Sequence, residues 1–271
     1  HPEHQAHPQR RQHAPQRHHQ RDAPHHPAQV RHAGDDLATQ AEVSTRHLSF
    51  VETGRSRPSR EMVLVLCSAL EVPLRERNAL LHAAGFAPAY RETPLAAPDM
   101  APVRRVVEAL LQRQLPYPAV AIDPQWNVLL ENPVHARLVQ GARATATRPH
   151  NLLHLLFDPR GLRPTVLNFE TAARLLLART AREAIADDRS RVLLDELLAY
   201  PDLPDAWRRP LLDPPELLVP LELRVGDQRL SLFSTITTLG TATDITLQEL
   251  RIECWFAADA STRAFFESTA L

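Results

Sequence analysis

The spacing of apolar residues changes from helical to strand-like along the chain, and this change limits the folds that the chain can adopt. Residues 35–86 form short runs with apolar residues three or four positions apart, broken by turn residues. The C-terminal segments Val219–Val225, Arg229–Leu239 and Ile245–Ala257 instead alternate and are rich in β-branched residues. Gly226-Asp227 supplies a hairpin turn between the first two segments. Helices followed by an antiparallel sheet predict an α+β fold with an all-α N-terminal domain.

The region between these two parts has a mixed pattern. Ala119–Asp123 and Trp126–Leu130 are two apolar runs separated by a Pro-Gln turn, which predicts a pair of strands. A helix is predicted to begin at Asn132, and further helices are predicted over 152–157, 166–186 and 190–199.

The length of 271 residues predicts two domains, and four closely spaced prolines between them predict a linker. Hydrophobic residues make up 44% of the chain, which is enough for most of it to fold. The predicted segments are a tail (1–34), a helical domain (35–87), a linker (88–101) and an α+β domain (102–271).

The predicted tail has an unusual composition. Nine of the 14 histidines lie in residues 1–32, together with repeated Gln, Pro and Arg and no apolar period. This composition predicts a disordered segment, and the pairs His18/His19 and His25/His26 lack the spacing of a closed metal site. We therefore predict no metal and no cofactor. The chain also opens without Met, and out-of-frame reading of a GC-rich gene would give such a composition, so an N-terminus that is not native is the alternative.

Charge and cysteine usage restrict the partners and the compartment. The formal net charge is −1, so any affinity for DNA must come from a local patch. Cys67 and Cys254 each lie in an apolar run, which favours reduced core thiols and indicates a cytoplasmic protein. No apolar stretch reaches the roughly 18 residues that span a bilayer, so we predict no membrane partner.

Four short helices are predicted within residues 35–87. Ser44 is expected to cap a helix over Thr45–Thr53, which Gly54 ends. A fourth helix is expected to run from Pro73 to Gly85. The inward residues of the third helix are predicted to be Met62, Leu66, Ala69 and Leu70.

Two resemblances to known families rest on these residues. Between Leu37 and Ser59, the pattern Leu-Ala…Ala-x-Val-Ser-Thr-Arg-His-Leu-Ser-x-x-Glu-x-Gly-Arg-x-x-Pro-Ser resembles the XRE-type helix-turn-helix of bacterial repressors. The C-terminal domain resembles the MmyB-like ligand-binding domain, which has a PAS-like fold. The segments that carry this second resemblance are Pro118–Asn132, Asn151–Arg160, Leu232–Asp244 and Leu250–Asp259. Together they imply a bacterial transcription regulator that senses a small molecule.

The helix-turn-helix resemblance implies specific contacts with double-stranded DNA. The second helix of the motif enters the major groove, so Thr45, Arg46 and Ser49 are expected to face base edges. Arg46 suits a bidentate contact with guanine. Between Ser44 and Arg60 there are four Arg and one Glu, and the motif spacing favours a DNA surface over an ordinary solvated helix face. The residues expected to contact phosphates are Ser44, Arg55, Arg57 and Ser59.

The second resemblance implies a pocket between sheet and helices that holds a fatty acid or another small apolar molecule. Aromatic side chains beside lone polar groups are typical of such pockets, although Trp and Phe in strands are also ordinary core residues. The expected ligand contacts are Trp126, Asn132, Phe157, Phe233, Thr235 and Phe256.

Two departures from the helix-turn-helix family leave an alternative function open. Glu42 occupies a turn position where the family has Gly, and Gln20–Gly34, where the first helix belongs, carries prolines and histidines. The alternative is a ligand-binding or protein-interaction module that no longer binds DNA. A homodimer and a monomer both remain open.

An enzyme is the competing class of protein, and the sequence offers little for it. His150 and His154 have helical i, i+4 spacing, but no third ligand accompanies them. The chain has seven glycines and no Gly-x-Ser-x-Gly, P-loop or Gly-x-Gly-x-x-Gly motif. We therefore predict a protein without catalytic activity.

Overall fold

The computed structural model describes residues 36–39, 41, 43–185, 187–208 and 220–268. The predicted tail, the Gln20–Gly34 segment and Glu42 lie outside the described residues. Contacts divide the chain into two compact units, His1–Leu70 and Glu71–Leu271. The boundaries 35–87, 88–101 and 102–271 stay predictions.

The described residues of the first unit form three helical segments, and the caps of the second and third follow from the sequence. Helix α1 is described over residues 36–39, α2 is Thr45–Glu52 and α3 is Arg60–Ala69. Ser44 caps α2 by accepting a hydrogen bond from the backbone N–H of His47, as predicted. Gly54 follows α2 with φ at 69°, in the left-handed region that glycine tolerates best.

The core of the first unit is formed by small and aliphatic side chains, which include Ala38, Ala41, Leu48, Met62, Val63 and Cys67. Leu70 was expected to face inward, and this prediction is wrong because its residue is 58% exposed. Leu70 is the C-cap of α3, where the helical period no longer fixes the direction of a side chain.

The described helices of the second unit are mostly those that the sequence predicts. Helix α4 is Leu74–Ala83, and Gly85 follows it at a φ of 88°. The others are α5 Ala101–Arg113, α6 Pro133–Arg143, α7 Leu152–Phe157, α8 Phe169–Glu183, α9 Asp188–Leu198, α10 Ile245–Glu249 and α11 Ala260–Ser268. Single 3-10 turns lie at Pro98–Met100, Arg163–Thr165 and Asp205–Arg208.

Five strands in the described part of the second unit form one antiparallel sheet. The order in the sheet is β2-β1-β5-β4-β3. This arrangement confirms the α+β prediction. The predicted strand pair corresponds to β1 and β2, and the predicted C-terminal hairpin corresponds to β3 and β4. The strands are β1 Ala119–Ile122, β2 Val128–Glu131, β3 Leu221–Val225, β4 Gln228–Thr238 and β5 Arg251–Ala257.

The two faces of the sheet support two different cores. Ala119 and Ala121 of β1 lie on the same face as Ile252 of β5 and pack with Val107 and Leu111 of α5. The opposite face joins a larger core that is formed mainly with α7, α8 and α9. Alternation along β5 therefore directs successive side chains into different environments.

The segment Ile245–Glu249 corrects one prediction, because it is helical and not part of the last strand. Its alternating sequence is typical of a strand, but Asp244 accepts a hydrogen bond from Thr246 N at 2.9 Å and so caps a helical turn. The Ile245 N–H also donates to the carbonyl of Arg91 at 2.8 Å. These tertiary contacts override the local preference.

The segment predicted as a linker contributes to the second unit. Leu95 and Met100 are buried there and join the core beside α5. The Thr93 N–H donates to the Asp244 side chain at 3.3 Å.

Candidate ligand cavity and DNA-binding surface

The residues expected to contact DNA all lie at the surface of the first unit. Thr45, Arg46 and Ser49 are exposed, and their i, i+3 and i, i+4 spacing puts them on one side of α2. The guanidinium carbon of Arg46 lies 5.4 Å from the centroid of the Phe50 ring. The remaining exposed residues of the set are Ser44, Arg55, Arg57 and Ser59.

Ser44 and Ser59 also hold helix ends in place. The Oγ of each accepts a backbone hydrogen bond at 3.2 Å, from His47 N and Met62 N respectively. A hydroxyl has one donor hydrogen as well as its acceptor lone pairs, so capping leaves that hydrogen able to reach a phosphate. The two roles are therefore compatible.

A cavity of about 140 Å³ lies between the sheet and the helices of the second unit. Its walls are mainly aliphatic side chains from α6, α7, α8 and the strands β3 and β4. The leucines include Leu138, Leu153, Leu156, Leu176, Leu223 and Leu232.

Of the six residues expected to bind a ligand, Trp126 lines this cavity and Asn132 does not. The amide of Asn132 is fully buried and accepts hydrogen bonds from Ala119 N and His135 N, at 3.2 and 2.9 Å. Its Nδ2 donates to the carbonyls of Tyr117 and Leu111, at 2.9 and 3.2 Å. Asn132 is therefore a structural cap between β2 and α6.

The other four expected residues also lie away from the cavity. Phe157 is fully buried in the larger core, with its ring edge-on to Phe169. Phe233 and Phe256 stack with ring centroids 5.4 Å apart, and Thr235 is exposed on the same strand face as Phe233. The alternation of β4 turns that face away from the cavity-lining Leu232 and Ser234.

The cavity contains polar groups that the sequence reasoning missed. Glu253 is 7% exposed, and burial raises the pKa of its carboxyl, although a hydrogen bond from the Ser234 hydroxyl acts in the opposite direction. Within the described part of the chain, Glu253 Oε2 and Trp126 Nε1 are buried without hydrogen-bond partners. A lone Glu sharing a strand face with Trp255 was the signal available in the sequence.

A second polar group at the cavity is His135, whose ring stacks on Trp255 with centroids 5.2 Å apart. Burial lowers the pKa of His135, so its ring is neutral and Nδ1–H donates to Glu131 Oε2 at 2.6 Å. Burial would raise the pKa of Glu131, but hydrogen bonds from His135 and Arg143 outweigh it and lower that pKa to about 2.

Two parts of the chain match known protein families. Residues 103–268, more than half of the chain, match the MmyB-like transcription regulator ligand binding domain. The chain belongs to this MmyB-like family. Residues 10–80 match a helix-turn-helix domain, so the chain combines this domain with the ligand-binding domain of MmyB-like transcription regulators.

Other comparisons add little about the MmyB-like chain. Comparison with curated proteins gave no match. Among solved structures, an RNA-binding Light-Oxygen-Voltage receptor matches with 13% identity and a TM-score of 0.25. The match covers 88% of this chain and 56% of the receptor chain, and at that TM-score it carries no argument. We find no helix in the described ranges that is long and apolar enough to cross a membrane.

In this MmyB-like regulator, α4 is tied to the ligand-binding domain by charged side chains. Arg75 of α4 donates hydrogen bonds to both carboxylate oxygens of Glu249 and of Glu92. Arg189 of α9 lies 3.8 Å from Glu92 and 3.7 Å from Glu249. Gln248 Oε1 accepts from the backbone N–H of Leu74 at 2.6 Å. We call Arg75, Glu92, Arg189 and Glu249 the α4 anchor.

The two histidines considered for a metal site are separated by the structure. His150 is exposed and precedes α7, so the predicted i, i+4 pair on one helix face does not form. His154 is buried, with Nδ1 3.0 Å from the Tyr200 hydroxyl and Nε2 3.1 Å from Glu196. Among the residues with described positions, no cluster of three or more His, Cys, Asp or Glu could hold a metal ion.

Proposed function

We propose that this regulator binds a specific double-stranded DNA sequence through α2 and its flanking residues, and that a small apolar ligand in the cavity controls this binding. The observation that carries the proposal is an apolar cavity inside a domain that belongs to a ligand-binding family. Apolar clefts with few polar groups are the usual sites for small molecules.

The volume of the cavity indicates the size of the ligand. An empty apolar cavity of about 150 Å³ binds benzene, and the cavity here is of similar size at about 140 Å³. A single ring or a short chain therefore fits the cavity as it stands. The fatty acid implied by the family resemblance would require the leucine walls to move apart.

The proposed DNA contacts divide into two kinds. Thr45, Arg46 and Ser49 would read base edges, and Ser44, Arg55, Arg57 and Ser59 would hold phosphates. Their exposure supports the assignment, since a side chain must be accessible at the surface to contact DNA. Base contacts determine the preferred sequence, whereas phosphate contacts determine affinity and its dependence on salt.

The α4 anchor offers a route by which the ligand could affect the helical region. Helix α10 carries Glu249 and leads directly into β5, which carries the cavity residue Glu253. The helix-turn-helix match extends to residue 80 and so includes most of α4. A ligand that shifts β5 would act on α10 and, through Arg75, on α4. Control also requires that the ligand bind one conformation better than the other.

Selection of binding sites from a random-sequence duplex library, using the full-length chain, tests the DNA half of the proposal. We expect an enriched sequence whose affinity changes when a bound ring compound or fatty acid is present. A thermal-shift panel of such compounds tests the ligand half, because a ligand at about 100 times its Kd adds about 2.7 kcal/mol of stability. Ligand-dependent stabilisation without any enriched DNA sequence would instead support the binding module that no longer reads DNA.

A further inference from the structure

We infer that the cavity selects an uncharged ligand with one hydrogen-bond acceptor, which Trp126 and Glu253 hold in place. This inference rests on the proposed ligand-binding function and names the class of ligand. The observation behind it is that two buried polar atoms of cavity residues, Trp126 Nε1 and Glu253 Oε2, have no hydrogen-bond partner among the described atoms. Both residues line the cavity, whose other walls are apolar except at His135 and Ser234.

The backbone of Trp126 holds its indole in an unusual way. Its φ of 65° lies in the left-handed region, which an aromatic residue rarely adopts. Hydrogen bonds fix this conformation, from Trp126 N to the Asp123 carbonyl and from Leu152 N to the Trp126 carbonyl, each at 3.0 Å. Arg179 packs on the ring with its guanidinium carbon 4.9 Å from the centroid. These contacts hold the indole of Trp126, a residue of the cavity wall whose buried N–H can only donate.

Glu253 provides the second polar group. Burial raises the pKa of its carboxyl, which favours the protonated form. A protonated carboxyl has an O–H donor, and the Ser234 hydroxyl already holds part of the group by a hydrogen bond. The positive charge of Arg179 lowers the pKa of Glu253, but burial has the larger effect. The Arg179 Nε lies 3.3 Å from Glu183, and its guanidinium covers the Trp126 ring.

The charge state of the cavity follows from its titratable wall residues, Glu253 and His135. His135 is neutral because burial lowers its pKa, and its Nδ1–H is taken by Glu131. An anionic ligand such as a carboxylate would lose its hydration without gaining a cation at the wall. A protonated amine would require an ionised Glu253. An uncharged ketone, aldehyde or ester has neither cost and accepts from the indole N–H and the carboxyl O–H.

Four ring compounds with nearly the same skeleton test this selectivity by calorimetric titration of the full-length protein. They are ethylbenzene, which has no polar group, acetophenone, which has one acceptor, benzoate, an anion, and 1-phenylethylamine, a cation. We expect acetophenone to bind most tightly and ethylbenzene to bind more weakly, because it has no acceptor. Both charged compounds should bind at least about tenfold more weakly than acetophenone.

Variants separate the hydrogen bonds from the shape of the cavity. Trp126→Phe removes the N–H but keeps an aromatic ring, so acetophenone should bind about fivefold to tenfold more weakly while ethylbenzene changes by less than about twofold. Glu253→Leu should weaken acetophenone similarly. Glu253→Gln keeps a donor on an uncharged side chain and should retain most of the affinity.

Each contrary result has a definite meaning. Tightest binding of benzoate or of 1-phenylethylamine would overturn the inference in favour of an anion or a cation site. Equal losses for acetophenone and ethylbenzene in Trp126→Phe would reduce Trp126 to a shape-filling role. Binding without any discrimination among head groups would overturn the inference and leave the proposed apolar-ligand function intact. Failure of all four compounds, and of octanoate, would overturn both.

Discussion

Arg75 and Glu249, which are 174 residues apart in sequence, are joined by two hydrogen bonds, Nε to Oε1 at 2.7 Å and Nη2 to Oε2 at 2.9 Å. Such two-point pairing fixes both position and orientation. Glu92 and Arg189 complete a cluster of two arginines and two glutamates, whose charges balance. The first turn of α4 is therefore fixed to α10. A single residue, Leu250, separates the end of α10 from the start of β5.

Arg75→Ala should lower the free energy of unfolding of the full-length chain by about 1–2 kcal/mol. Hydrogen bonds between charged groups contribute roughly 1.5–3 kcal/mol, and we reduce this figure because the Arg75 side chain is 30% exposed. Urea denaturation measures the change. Arg105→Ala, at an exposed site on α5, is the control and should stay within about 0.5 kcal/mol of the parent. Equal effects would mean that the α4 anchor adds nothing to stability.

The same substitution should uncouple the ligand from DNA. If the α4 anchor carries the effect, Arg75→Ala should retain the affinity for ligand and the affinity for DNA in its absence. The change in DNA affinity on adding ligand should then shrink toward none. Fluorescence anisotropy of labelled duplex, over a series of ligand concentrations that includes none, measures the DNA affinity without ligand, its change on adding ligand and the ligand affinity. A full ligand response in Arg75→Ala would exclude this route.

Two adjacent alanines on α8 provide a matched test of the cavity. Ala172 lines the cavity, whereas Ala173 is fully buried in the packed core. Ala172→Leu should cost less than about 1 kcal/mol, because the added side chain enters empty space, and it should abolish ligand-induced thermal shifts. Ala173→Leu should cost roughly 1–3 kcal/mol by overpacking. If Ala172→Leu destabilises the protein as much as Ala173→Leu, the space at Ala172 is not available to a ligand.

The sequence predicted the fold more accurately than the ligand site, for a physical reason. Helices and strands follow from local periods and caps, as at Ser44, whose capping of α2 needs only neighbouring residues. A cavity depends on which faces meet in three dimensions. A leucine such as Leu176 at the cavity wall has the same sequence signature as Leu177 in the packed core. Asn132 was expected to bind a ligand because a lone polar residue has the same appearance whether it caps a helix or holds a molecule.

The DNA-binding assignment predicts two different kinds of loss. Arg46→Ala should cost roughly 1–3 kcal/mol on the selected sequence and relax the preference at one base pair. Arg55→Ala should weaken binding to all sequences alike and reduce the slope of log K against log salt by about 1. Electrophoretic shifts over a salt series, on the selected duplex and on single-base variants, measure both effects. If both variants lose the same DNA affinity on every sequence, Arg46 does not contact base edges.

Two glutamates of the same sheet should give stability curves of opposite slope against pH. Burial raises the pKa of Glu253 above its ordinary value of 4.5, so the unfolded chain loses this proton at a lower pH than the folded chain. The folded state then binds more protons, and stability is lost as the pH rises from about 4.5 through the folded pKa. Glu253→Gln cannot ionise, so its stability relative to the parent should increase over this range. Urea denaturation of both proteins between pH 4 and pH 8 measures the difference in stability. Parallel curves of stability against pH would show that Glu253 is ionised and well stabilised in the folded protein.

Glu131→Gln is the matched control for this experiment. Burial opposes ionisation of Glu131, but His135 and Arg143 outweigh it and lower the pKa from 4.5 to about 2. The unfolded chain therefore binds the proton first as the pH falls, and the stability from Glu131 is present above about 4.5 and lost toward 2. Glu131→Gln should be most destabilising near neutral pH, with a cost that shrinks below about pH 4.5. A Glu253→Gln curve that instead follows this pattern would mean that a cation of the protein holds the Glu253 carboxylate. The carboxyl would then have no O–H to donate, and the inferred role of Glu253 toward an uncharged ligand would be wrong.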